Sequence, residues 1–100
     1  MKQDVFDAYV EKVSEFYSID KEKIFTKFVG KEASDARQMI WWMCDKRHIR
    51  PMYIAKHTLR HGLKVAASTI SHGILAFESR IQQDDDLIKI IERIENSIKA

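Results

Sequence analysis

Residues 51–77 read PMYIAKHTLRHGLKVAASTISHGILAF, and the way this stretch folds decides the rest. Pro51 has its φ held near the helical value and lacks the N–H that a first turn leaves unpaired, so it opens a helix. Gly62 breaks that helix, and a second one follows carrying Ser68, Thr69 and His72. On the second helix Ile70, Ile74, Phe77 and Ile81 recur at i, i+4, i+7 and i+11. At about 100° per residue these four make one buried stripe, with Ser68, Thr69 and His72 on the opposite side. Short hydrogen-bonding side chains at the exposed start of a helix suit the base edges of a DNA groove. The pair is predicted to be a helix-turn-helix.

Working outward, residues 4–17 predict an amphipathic helix capped by Asp4, with Phe6, Tyr9, Val10, Val13, Phe16 and Tyr17 on one broad face. Asp20 can cap a short helix through Lys23, Ile24 and Phe25, and residues 26–31, TKFVGK, form a loop around the breaker Gly30. Ser34 or Asp35 caps a helix running to about His48, with Ala36, Ile40, Met43 and Cys44 inward. Trp41 and Trp42 are adjacent and point about 100° apart, so both are packing residues but only one can be central. In the helix from Pro51, Ile54, Ala55, Thr58 and Leu59 are expected inside, and Lys56, His57, Arg60 and His61 outside. The second helix continues to about Gln82; Asp84, Asp85 or Asp86 then caps a last helix with its seam at Leu87, Ile91, Ile94 and Ile98. No strand alternation, repeat or low-complexity segment interrupts this pattern. The expected fold is all-α: one compact domain over residues 1–100, with five main helices, one short helix and a helix-turn-helix.

A hydrophobic fraction of 45% and a charged fraction of 32% belong to a soluble globular chain of 100 residues. The longest apolar run, Met39 to Cys44, is too short to span a membrane, and the start Met1-Lys2-Gln3-Asp4 lacks the apolar segment of a signal peptide. A cytoplasmic location is expected. The single Cys44 lies in that apolar run and is read as a small buried hydrophobe. The net charge of +2 is unevenly spread: residues 21–64 hold eleven basic and four acidic side chains, whereas residues 1–20 carry −3 and residues 84–100 carry −2. A basic middle between acidic ends predicts a polyanion-binding face. Lys27 and Lys31 on the loop, with Arg37, Arg50 and Lys64, are the candidate phosphate contacts. Lys46, Arg47 and His48 also gather near Arg50, where cations suit a helix carboxy end without any nucleic acid.

Catalytic patterns are missing. Gly30-Lys31 lacks the earlier glycine and the following hydroxyl residue of a phosphate-binding loop, which excludes nucleotide hydrolysis by that route. His57 and His61 share metal-ligand spacing, yet Thr58 follows His57 where a metalloprotease needs glutamate, and no second cysteine joins them. Asp84-Asp85-Asp86 fits a helix cap better than a cation site. The expectation is a protein that binds and does not catalyse, with no cofactor and no metal.

Three stretches carry a family resemblance: VEKVSEFYSI at Val10 to Ile19, ARQMIWWM at Ala36 to Met43, and STISHGI at Ser68 to Ile74. With the closing acidic cap and isoleucine-rich helix, they make Val5 to Ile98 resemble the carboxy-terminal DNA-binding domain of the bacterial replication initiator DnaA, a fold related to Trp repressor. The resemblance implies double-stranded DNA as partner, with Arg37 and Gln38 at the backbone and groove. The family's recognition helix begins Asp-His-Ser/Thr-Thr-Val, which aligns with Ala66, Ala67, Ser68, Thr69 and Ile70. Ser68 and Thr69 keep its hydroxyls, His72 matches a histidine further along, and Ala66 and Ala67 replace aspartate and histidine with surfaces that can pack on a thymine methyl. Lys27 and Lys31 stand for the family's arginine-rich loop, and the nucleotide-binding motor of a full initiator is absent. The implied role is sequence-specific binding in replication control of a bacterial, phage or mobile genome, as monomer or homodimer, with a replication or transcription protein as a further partner. Two alternatives remain open. One is a Trp repressor-like transcription regulator; the other is a protein-interaction module using exposed apolar groups such as Trp41, Trp42 or Leu75.

Overall fold

The computed structural model describes residues 2–27 and 30–99 of the chain. They form six helices in the order α1 (Lys2–Tyr17), α2 (Lys21–Ile24), α3 (Lys31–Lys46), α4 (Pro51–Arg60), α5 (Ala67–Gln83) and α6 (Asp85–Lys99). No strand occurs among the described residues. The fold is all-α, as the periodicity predicts, and no helix is long and apolar enough to cross a membrane. Phe28 and Val29, part of the predicted loop, lie outside the described residues.

Helix α3 is the hub. It packs on α1, α2, α4 and above all on α5, while α6 closes over α1 and α5. Phe6, Tyr9, Val10 and Val13 of α1 meet Ala36, Met39, Ile40, Met43 and Cys44 of α3 in one core, completed by Ile70, Ile74, Phe77 and Ile81 of α5 and Leu87, Ile91 and Ile94 of α6. The predicted stripe of α5 and seam of α6 are therefore buried, with Ile98 half-buried at the end. Burial raises the Cys44 thiol to about 12, which keeps it protonated and inert, as a small hydrophobe would be.

Three helices end with one device. After α1, α3 and α4 a residue turns left-handed: Ser18 (φ 53°), His48 (φ 64°) and Gly62 (φ 100°). The next residue then donates its N–H back to the last turn, Ile19 to Ser14 (3.1 Å), Ile49 to Cys44 (3.1 Å) and Leu63 to Thr58 (3.4 Å). These are Schellman closures, and each sends an apolar side chain back toward the core. Asp84 supplies the predicted acidic cap, its Oδ1 accepting the Asp86 N–H at 3.0 Å.

Some boundaries and faces differ from expectation. Helix α1 starts at Lys2, so Asp4 lies within its first turn. Gly30, not Ser34 or Asp35, is the cap residue of α3, which puts Lys31 in the helix and leaves Asp35 to pair with Arg80 at 3.0 Å. Phe16 is exposed on the α1 face expected to be buried. On α4 the inner face is rotated: His57 is buried and Leu59 is 54% exposed. The reason is α1, whose Phe6 ring lies 5.5 Å from both His57 and His61, so the histidines act as core aromatics. His57 Nδ1 faces Gln3 Oε1 at 2.6 Å and His61 Nε2 faces Asp7 Oδ1 at 2.8 Å. Their spacing therefore serves packing, and among the described residues no group of three or more His, Cys, Asp and Glu is placed to hold a metal.

Candidate nucleic-acid interface

The site begins with a close helix crossing. Gly73 of α5 faces Trp41 of α3 so tightly that a Cβ on Gly73 would stand 2.8 Å from the indole ring. The ring is held from the other side, because Trp41 Nε1 donates to Thr58 Oγ1 at 3.1 Å and that hydroxyl donates to the Ile54 carbonyl at 2.8 Å. One buried tryptophan thus fixes α3, α4 and α5 against each other. Trp42, the half-buried neighbour, donates to Glu78 at 2.5 Å. Trp41 is therefore almost wholly buried, its remaining exposed edge belonging to the lining of the cleft beside it.

Next to this crossing a cleft of about 430 Å³ opens between the amino half of α3 and the outer side of α5. Lys27, Arg37 and Gln38 line one wall; Thr69 and His72 line the other, with Val65 and Leu63 at one end. Among the described residues no acidic side chain lines it. Lys64 stands next door, sharing a second hollow with Lys27, Thr26 and Gly62. Neither Lys27 nor Lys64 pairs with a carboxylate among the described residues, whereas Lys21, Lys46, Arg47 and Arg80, all outside the cleft, do.

Arg37 has a structural task as well. Its Nη1 donates to the carbonyls of Ile24 (2.6 Å) and Thr26 (3.4 Å), which ties the end of α2 to α3 and sets the path toward Lys27. Burial lowers its pKa, yet a guanidinium stays charged. The cleft thus brings together Lys27, Arg37, Gln38, Thr69 and His72. Ala66 caps α5, and Ala67 and Ser68 open it, all exposed on its outer side with no side-chain hydrogen bond on the helix start. Lys31 and Arg50 stand apart. Lys31 lies beside Ile19 and Glu32 on the α1 side, and Arg50 is the exposed cap residue of α4.

Ser34, Leu63, Val65 and Ala76 also line the cleft and were not among the predicted contacts. Ser34 was readable only with the helix start at Gly30, because a cap at Ser34 itself gives it another task. The other three carry no charge or hydrogen-bonding signal in sequence. No family model, curated protein or solved structure matches the chain.

Proposed function

We propose that this chain is a sequence-specific double-stranded DNA-binding protein, with α4 and α5 as its helix-turn-helix and α5 entering the major groove. The single observation that carries the reading is the α3–α5 cleft, where cations, an amide and hydroxyls converge without one carboxylate. A duplex presents a line of phosphates beside base edges, and this surface offers the matching pair of chemistries. Lys27, Arg37 and Lys64 hold the backbone on one side, while Ser68, Thr69 and His72 face the bases. Lys31 and Arg50 lie further out, as contacts to flanking phosphates. The resemblance of the chain to the DNA-binding domain of the initiator DnaA adds a role in replication control of a bacterial, phage or mobile genome, exercised by binding alone. A second reading, a protein-interaction module, draws on the apolar side chains Met52 and Leu59 of α4 and Leu75 of α5, each more than half exposed.

Selection of bound sequences from random duplex DNA separates the two. A DNA reader enriches a short motif, and its affinity falls steeply as salt rises, because bound lysines release counterions. No enrichment, with weak binding indifferent to salt, overturns the proposal and leaves the protein-interaction reading.

A further inference from the structure

Opposite the buried stripe of α5 runs an exposed ridge with the same spacing: Ser68, His72, Leu75 and Ser79. Small side chains surround its centre, Ser71 half-buried and Ala76 exposed. Leu75 therefore projects, and at 68% exposure it is the most exposed large hydrophobic side chain among the described residues. No described residue covers it. An isolated surface leucine needs no explanation by itself. Its setting is what matters, because this ridge borders the acid-free cleft.

The chemistry of the ridge is narrow. From Ala66 to Phe77 there is no Arg, Lys, Asn, Gln, Asp or Glu. Guanine is read by Arg or Lys on its two acceptors, and cytosine by a carboxylate on its amino group. Helix α5 has neither tool over its exposed first turns. Apart from the His72 imidazole, what it presents is methyl, methylene and hydroxyl surface, and the base-edge group that matches the apolar part of such a surface is the 5-methyl of thymine. The amide on the facing wall, Gln38, has the donor and acceptor pattern for adenine. From Ser68 to Leu75 the helix rises about 10 Å, roughly three base-pair steps of about 3.4 Å. The ridge thus covers a short run of A·T pairs.

We infer that α5 reads a thymine-rich site through the 5-methyl groups of thymine, with Leu75 as the central specificity-determining contact and Ala66 and Ala67 packing on methyls at the helix start. This rests on the duplex-binding reading above. Charge complementarity favours DNA as the occupant: the cleft beside Leu75 is basic and acid-free, and Glu78, the nearest acid along α5, is held by Trp42 and Lys46.

The test uses the full chain and a duplex recovered by selection from a random pool. Each thymine is replaced in turn by deoxyuridine, which pairs identically and lacks only the methyl. The expected result is a loss of affinity of about fourfold at each methyl-read position, the size of one buried methyl(ene) group. Leu75→Ala is expected to erase that difference at one or two neighbouring positions without changing the salt dependence. Because Leu75 is exposed, the variant keeps its unfolding midpoint, which circular dichroism checks. Salt-dependent binding with equal affinity for thymine and deoxyuridine duplexes overturns this inference alone. A Leu75→Ala variant with every thymine preference intact removes Leu75 from the reading surface and returns it to a protein partner. A chain that binds no duplex overturns this inference and the duplex-binding reading together.

Discussion

At the carboxy end of α3, Arg47 lies over the Tyr9 ring, donates to the Tyr9 hydroxyl at 2.5 Å and reaches Glu95 at 3.3 Å, while Tyr9 itself donates to Glu95. At the amino end, Lys27 and Lys64 flank an open cleft with no acid on its walls. The two ends have similar formal charge in sequence, and only their surroundings separate them. Burial and the Glu95 carboxylate push the Tyr9 hydroxyl well above its ordinary pKa, so it stays protonated and keeps donating. At the carboxy end Arg47 holds α3 to α1 and α6, and Lys46 pairs with Glu78 of α5. The amino end keeps its lysines available to a partner.

The contrast breaks most completely at the residue between the two ends. Trp41→Ala removes the ring that Gly73 packs on and leaves Thr58 Oγ1 without its donor. The expected loss of stability is about 3–5 kcal/mol, read by chemical denaturation, with duplex binding lost as α5 loosens. A loss below about 1 kcal/mol contradicts the bridging role of Trp41. The next effect sharpens the contrast. Arg47→Ala strips the Tyr9 hydroxyl of a half-buried donor and costs about 1–2 kcal/mol, while affinity for duplex DNA measured well below the unfolding midpoint stays unchanged. Reduced affinity in that variant would extend the interface to the carboxy end.

The smallest effect concerns pH and the α1–α4 contact, away from both ends. Burial, helped by the Arg60 charge, lowers the pKa of His57 from 6.5. As pH falls below about 6.5 the unfolded chain takes up a proton at His57 before the folded chain does, so stability declines. For Asp7, burial acts upward but is outweighed by hydrogen bonds from His61 and Gln3, so its carboxyl titrates below the ordinary aspartate value of 3.8. Its contribution is present above that value and is lost as pH falls through the depressed one, a separate decline that lies below the window in which His57 acts. Thermal unfolding from about pH 7.5 to about pH 5 is expected to show a falling midpoint that His57→Gln flattens. A midpoint level across that range rules out His57 as its source.

The stripe Ile70, Ile74, Phe77 and Ile81 was legible in sequence because a helix with one buried side writes its period into the chain. The face of α4 was not. Its ten residues carry apolar groups at both Ile54 and Leu59, and the choice between turning Leu59 or His57 inward is made by Phe6 and Gln3, about fifty positions upstream. Candidate contacts were legible as charge and hydroxyl patterns, which is why Lys27, Arg37, Gln38, Thr69 and His72 could be named before the cleft joined them. The hold of Arg37 on Ile24 and Thr26, and the difference between Arg47 and Lys64, leave no local trace, because each depends on what another helix brings alongside.

The most direct measurement is the salt dependence of duplex affinity in two lysine variants. Lys27→Ala combined with Lys64→Ala is expected to weaken binding to all sequences alike and to reduce the slope of log affinity against log salt by about 2, roughly 1 for each lost phosphate contact. Lys46→Ala, at the carboxy end, is expected to leave the slope of the unaltered chain in place. Equal slopes in the double variant and the unaltered chain, or a fall in slope only for Lys46→Ala, would contradict an interface at the amino end of α3.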